Sequence, residues 1–269
     1  MMPLLTLFFL IALMLALVYV LPGYRLRLAI ARPFPSHYSK ILRANIPAYA
    51  RMPVDLQMQL KRLIRQFLYQ KKFIGCDGFV ISDEVRVTIA GKACMLLLNR
   101  KTQVYPDLKL LLIYPSAFVV SRTEMGEGGV VTHANQTLSG ESWSDGRVIL
   151  AWDHIRQHKL PDGHDVVLHE FAHQLDSESG RNNGAPSLRS KAQYQRWSEV
   201  LSVEFAALQH AVEHQLESVI DYYGATSPAE FFAVATETFF EKTGQLAHYH
   251  PALFEQLRAY YQVDPRDWH

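Results

Sequence analysis

The sequence predicts an α+β domain, mainly helical. Short apolar runs of strand length fall before residue 152, helical periodicity dominates beyond residue 160, and no internal repeat or low-complexity segment interrupts either. At 269 residues, 49% apolar and 20% charged, the chain has room for one sizeable core, which excludes wholesale disorder or a coiled coil. Two cysteines exclude a disulfide scaffold and a cysteine-built zinc cluster. Neither Cys76 nor Cys94 has a CxxC or His/Cys companion, so both read as reduced structural thiols. Charge is uneven. Residues 1–54 carry six Lys/Arg and no Asp/Glu, and the chain's +1 less that +6 leaves −5 for the body. An acidic body argues against a nucleic-acid-binding domain, which would show a basic face.

Taken in order, the elements begin with an uncharged run at residues 4–21, almost wholly Leu, Phe, Ile, Ala, Met and Val. As a helix it would span about 27 Å at ~1.5 Å per residue, close to the ~30 Å of a hydrocarbon core. It lacks the basic start and small-residue cleavage site of a signal peptide, so residues 1–24 read as a transmembrane anchor. Arg25, Arg27, Arg32, Lys40, Arg43 and Arg51 all follow the run. By the positive-inside rule this predicts a single-pass protein of the inner (cytoplasmic) membrane with its domain facing the cytoplasm. Residues 25–54 hold Pro33, Pro35, Pro47 and Pro53 and read as a basic juxtamembrane linker with at most short helices, which leaves 55–269 as the folded domain. Asp55 is placed to cap a helix with Leu56, Leu60, Leu63, Ile64, Phe67 and Leu68 on one face. Residues 85–89 alternate like a strand, and 91–98 fit a short helix. The runs 110–114 and 118–120 suit buried strands, and 147–152 a further strand after a Ser-Asp-Gly turn. That last strand reads either as core packing or as a sheet edge along which an extended peptide aligns. Trp197, Leu201, Phe205, Leu208, Val212 and Leu216 step along one long helix, and residues 228–242 and 251–261 form two more.

The chemistry concentrates at His169-Glu170-Phe171-Ala172-His173. On a helix, residues four apart share a face, so two imidazoles can address one Zn²⁺ while Glu170, ~100° round, reaches an activated water as general base. Asp162, Gly163 and Asp165 supply start signals for that helix. Val167, Leu168, Phe171, Ala172 and Leu175 make an apolar stripe opposite the histidines, so one face packs while the other meets a cleft. His210-Ala211-Val212-Glu213-His214 has the inverted spacing, but its polar neighbours place it on a solvated helix face. The remaining histidines show no ligand spacing.

Catalytic zinc usually takes three protein ligands. Position 179 is Ser, so a metzincin-type third histidine is absent, and Glu230, Glu237 and Glu241 are the downstream candidates. Glu230 follows the helix-start pair Ser227-Pro228 and lies seven residues before Glu237 on the same face, so spacing leaves those two even. Asp176, on the face of His169 and His173, either orients a ligand or caps the helix end.

Over roughly residues 66–264 the chain resembles the Mlc titration factor A type of glucose-regulated zinc metallopeptidases. The resemblance rests on the runs at 112–120 (LIYPSAFVV), Ser142-Trp143 with 148–152, 169–176 (HEFAHQLD), 220–223 (IDYY) and 227–234 (SPAEFFAV). It implies a zincin-like fold, with one Zn²⁺ held by His169, His173 and Glu230, Glu170 and Tyr223 as catalytic residues, and Glu237 as a supporting acid. It implies a peptidase of aminopeptidase-like character acting on peptide or protein substrates. The alternative it carries is a regulatory protein that binds a transcription repressor and keeps zinc for structure. The membrane span and basic leader depart from the family, whose members are soluble.

Overall fold

The computed structural model describes residues 10–11, 14–125, 131–138, 140–143, 146–157, 162–180 and 182–268. A π-helical turn, Ala16–Val20, leads into α1 (Leu21–Ala31). The prolines then divide the chain into α2 (Ser36–Asn45), α3 (Pro47–Arg51, with Pro47 in its first turn) and α4 (Val54–Gln70). Pro53 precedes α4, so Asp55 lies in the first turn rather than at the cap. Leu56, Leu60, Ile64 and Phe67 form the buried stripe of α4.

One expectation for the leader is corrected. Residues 1–9, 12 and 13 of the expected anchor lie outside the described residues. Among the described residues no helix is long and apolar enough to cross a membrane, which overturns the single-pass reading. The described continuation, α1, has 11 residues, about 16 Å of helix, and it already carries Arg25 and Arg27. The basic segment that follows also contributes to the core. Leu42, Ile46, Tyr49 and Met52 are buried in the same core as Leu60 and Phe67, because α2 and α3 each turn an apolar face onto the domain.

After β1 (Lys72–Gly75) comes α5 (Asp83–Met95), capped by Ser82, whose Oγ accepts from Val85 N at 3.3 Å. Residues 85–89 are therefore helical, not a strand, and share one helix with most of 91–98. α5 is buried on all sides, with Val85, Val87, Thr88, Ile89 and Lys92 all inside. Its apolar residues keep to no single stripe, so a five-residue alternation imitates strand period.

β2 (Leu110–Tyr114) follows, then β3 (Phe118–Met125) and β4 (Val131–Leu138), an antiparallel pair separate from the main sheet. β5 (Gly140–Trp143) and β6 (Arg147–Ala151) complete the main sheet in the order β1-β2-β6-β5. β1, β2 and β6 run parallel, and β5 is antiparallel to β6. β6 is thus an interior strand, and the outer position next to it belongs to β5. Trp152 opens α6 (Trp152–Gln157) instead of ending the strand.

The helical half comprises α7 (Val166–Ser177), α8 (Lys191–His214), α9 (Pro228–Glu241), α10 (Thr243–Tyr249) and α11 (Pro251–Tyr261). α7 packs against β5 and β6, against α5 and along α9. Its Phe171 stacks edge-on to Tyr105 at 4.7 Å and lies 5.7 Å from Phe67, locking the helix to α4 and the loop before β2. With Phe171, Ala172 and Leu175 fully buried, the opposite face is left to the histidines.

Candidate metal centre

Asp165 starts α7: its Oδ1 accepts from Val167 N at 3.0 Å and Leu168 N at 3.2 Å. One turn apart on that helix, His169 and His173 set their rings 4.8 Å apart at 79°. Ser227 caps α9 by accepting from Glu230 N at 3.2 Å, which fixes Glu230 in the first turn, facing both rings. Gly184 holds the two helices in register. Its φ of +77° and its closeness to Pro228, whose carbonyl oxygen would lie 2.2 Å from an added Cβ, exclude any side chain there. Its N–H donates to Asp176 Oδ2 at 2.6 Å, and its carbonyl accepts from Trp197 Nε1 at 2.9 Å. Asp176 therefore anchors the loop leaving α7 and does not hydrogen-bond His173.

His169 Nε2, His173 Nε2 and Glu230 Oε2 converge, separated by 3.2 Å between the nitrogens and by 3.0 and 3.3 Å from each to the carboxylate oxygen. Ligand atoms held ~2.0–2.1 Å from a tetrahedral ion sit about 3.3–3.4 Å apart, so this triangle fits one metal ion. These three residues are the group among the described residues that can hold a metal. Glu237, two turns along α9 from Glu230, grips the other side of the same imidazole: its Oε1 lies 2.7 Å from His169 Nδ1. That contact lets Nδ1–H donate to Glu237, the arrangement that frees the Nε2 lone pair for a metal when one is held.

The electrostatics follow. Burial would lower the pKa of His169, but Glu230 and Glu237 raise it well above the ordinary histidine range. Burial alone would raise Glu230, yet its hydrogen bonds with His169 and His173 hold it down at about 2. Glu170 is different. Burial pushes it up to about 7 against the pull of the two histidines, which poises it for proton exchange near neutrality.

Glu170 rests against the start of β5. A Cβ at Gly140 would lie 2.6 Å from Glu170 Oε1 and 2.6 Å from Val166 Cγ2, so only glycine lets the strand backbone come this close. Sequence reading passed over Gly140; a lone glycine at the head of a short strand was the available signal.

The adjacent tyrosines separate cleanly. Tyr222 donates its hydroxyl to the Leu216 carbonyl, whereas the Tyr223 ring lies 5.9 Å from His169. His210 and His214 stand apart, stacked at 4.0 Å on the exposed face of α8. Glu241 does not belong to the triangle; it is half-buried at the far end of α9. Both cysteines are free, Cys94 buried and Cys76 partly so.

With this geometry in hand, the sequence profile for glucose-regulated metallo-peptidase M90 matches residues 23–262. Among similar chains, uncharacterized protein slr2042 of Synechocystis sp. is 45% identical over 87% of this chain and 86% of its own length. Proteins called Mlc titration factor A are 33% identical in Escherichia fergusonii and 32% in Klebsiella pneumoniae, each over 82% of this chain and 84% of their own.

Proposed function

The chain belongs to the glucose-regulated metallo-peptidase M90 family, and from that premise we propose that it is a zinc-dependent peptidase. The observation that carries the reading is the convergence of His169 Nε2, His173 Nε2 and Glu230 Oε2, with Glu170 between the histidines in sequence and buried beside them. Zinc held there would supply Lewis-acid polarisation of a peptide carbonyl and acidify a water. Glu170 would serve as the proton carrier, taking a proton from the attacking water and passing it to the leaving amine, for which a pKa near neutrality is apt. Tyr223 donates a hydrogen bond to the oxyanion, an interaction with force mainly in the transition state. An extended substrate aligns along β5, the outer strand beside Glu170, by backbone pairing that tolerates varied side chains.

The test is cleavage of a peptide library by the purified, zinc-loaded chain, with Glu170→Gln as control. The amide keeps the side-chain volume but cannot take a proton at neutral pH. Cleavage should fall ~10²–10⁴-fold with zinc retained; equal cleavage by both chains would end the hydrolytic reading. A second reading is capture of a partner protein such as a transcription repressor, favoured by the relatives named Mlc titration factor A. Such a binder would keep its function in Glu170→Gln.

A further inference from the structure

Behind the metal triangle lies a buried cation that the proposed chemistry does not use. Lys92, on α5, is 6% exposed, and its Nζ lies 2.6 Å from Asp165 Oδ2, itself 3% exposed. A lysine so placed keeps its charge only by pairing, and the choice of partner shows where the pairing acts. Asp165 has three attachments. One oxygen holds Lys92, the other caps α7 through Val167 N and Leu168 N, and the Asp165 backbone N–H donates to Glu237 Oε2. The second oxygen of Glu237 holds His169 Nδ1. An unbroken line of polar contacts thus runs from Lys92 through Asp165 and Glu237 to a histidine of the triangle, joining α5, the start of α7, and α9.

We propose that Lys92 is a positioning residue for the metal centre, setting the orientation of His169 through Asp165 and Glu237. The inference rests on the metallopeptidase reading above. Its physical basis is charge as well as geometry. Asp165 and Glu237 bring two buried carboxyl groups together, with the half-buried Glu241 close enough to feel both Asp165 and Lys92. Among the described residues, the Lys92 ammonium is the cation that pairs directly with Asp165. Without it Asp165 is a buried unpaired carboxylate, free to abandon either the helix cap or the stance of its backbone beside Glu237. The Glu237 carboxylate then loses the donor that fixes one oxygen, and His169 loses a fixed partner at Nδ1. Outer partners of metal-bound histidines typically account for ~10–100-fold in metal affinity.

The experiment uses the full-length chain and measures zinc affinity by chelator competition, alongside the melting temperature of the zinc-free protein. Lys92→Met keeps the length and apolar stem, and Asp165→Asn keeps a cap acceptor without the charge. Each should weaken zinc ~10–100-fold, while Lys92→Arg, which keeps the positive charge beside Asp165, should lose less than either. In a Glu237→Gln background, Lys92→Met should add less than about twofold, because the path is already cut. Should Lys92→Met fail to fold, Asp165→Asn and Lys92→Arg carry the comparison. Variants that melt lower but bind zinc like the parent would reduce the pair to a structural tie and overturn the proposal, as would additive losses in the Glu237→Gln background. A parent chain that binds no zinc would instead sink the metallopeptidase reading, and this inference with it.

Discussion

Two helices of this protein each carry two histidines one turn apart with a glutamate between, and they come to opposite ends. On α7, His169 and His173 are largely buried, meet at a steep angle and aim both Nε2 atoms at Glu230. On the exposed face of α8, the His210 and His214 rings stack nearly flat, at 22°, and His214 Nδ1 donates to the His210 carbonyl at 2.9 Å. The covalent spacing is the same. What differs is what packs on top. α9 lies along α7 and brings Glu230 to one ring nitrogen of His169 and Glu237 to the other; among the described residues no carboxylate closes over the α8 pair in that way. Spacing brings imidazoles together, but carboxylates from a second helix turn them into a site.

That contrast can be broken most directly at the histidines. His169→Ala and His173→Ala should each abolish stoichiometric zinc and Glu230→Ala should weaken it strongly, while His210→Ala and His214→Ala leave it unchanged; metal analysis of the five purified variants decides. Zinc lost from His210→Ala and kept by His169→Ala would reverse the assignment of the two helices.

The next effect sharpens the roles of the paired tyrosines. Tyr223→Phe should keep zinc and lower kcat by ~10²–10³-fold with little change in KM if the hydroxyl serves the oxyanion. Tyr222→Phe, whose hydroxyl is spent on the Leu216 carbonyl, should alter kcat by less than about twofold and cost at most about 1 kcal/mol of stability. Steady-state kinetics on one peptide separates them.

Gly140→Ala tests the contact between β5 and the proposed base. An added methyl displaces either the strand or the Glu170 carboxylate, and a shift near 1 Å costs up to ~10²-fold in rate. Zinc content should stay at the parent level; undiminished kcat/KM would mean that the strand does not hold Glu170 in place.

The smallest effect is on stability, at the half-buried far end of α9. Burial, and then repulsion from Asp165, push the Glu241 carboxyl up to about 8. A raised folded pKa means the native state holds a proton that the unfolded chain releases at its ordinary, lower value. Stability is therefore lost as pH rises from about 4.5 towards 8. Glu241→Gln removes that loss and should raise the melting temperature of the zinc-free protein by roughly 2–4 °C at pH 8, with little change at pH 4. A pH-independent shift would point to packing instead.

Where local chemistry suffices, the sequence determined the structure by itself. Ser227 and Pro228 mark the start of α9, and Pro251 that of α11, because caps and proline act on their own turn. The 110–114 run became β2, and the i, i+4 histidines share a face by helix geometry alone. Elsewhere the sequence pattern was ambiguous, and only the tertiary structure resolved it. The 85–89 alternation is helical because α5 is wrapped by the core on all sides, which erases the stripe that would reveal its period. The 147–151 strand is interior because β5 pairs on its outer side, a long-range hydrogen-bonding fact. Glu230 and Glu237 share one face of one helix, and no local signal ranks them. Their division of labour, one at His169 Nε2 and the other at Nδ1, is set by how α9 crosses α7, with Gly184 holding that approach. Side-chain reach and backbone contact across distant elements are properties of packing, and a linear pattern does not contain them.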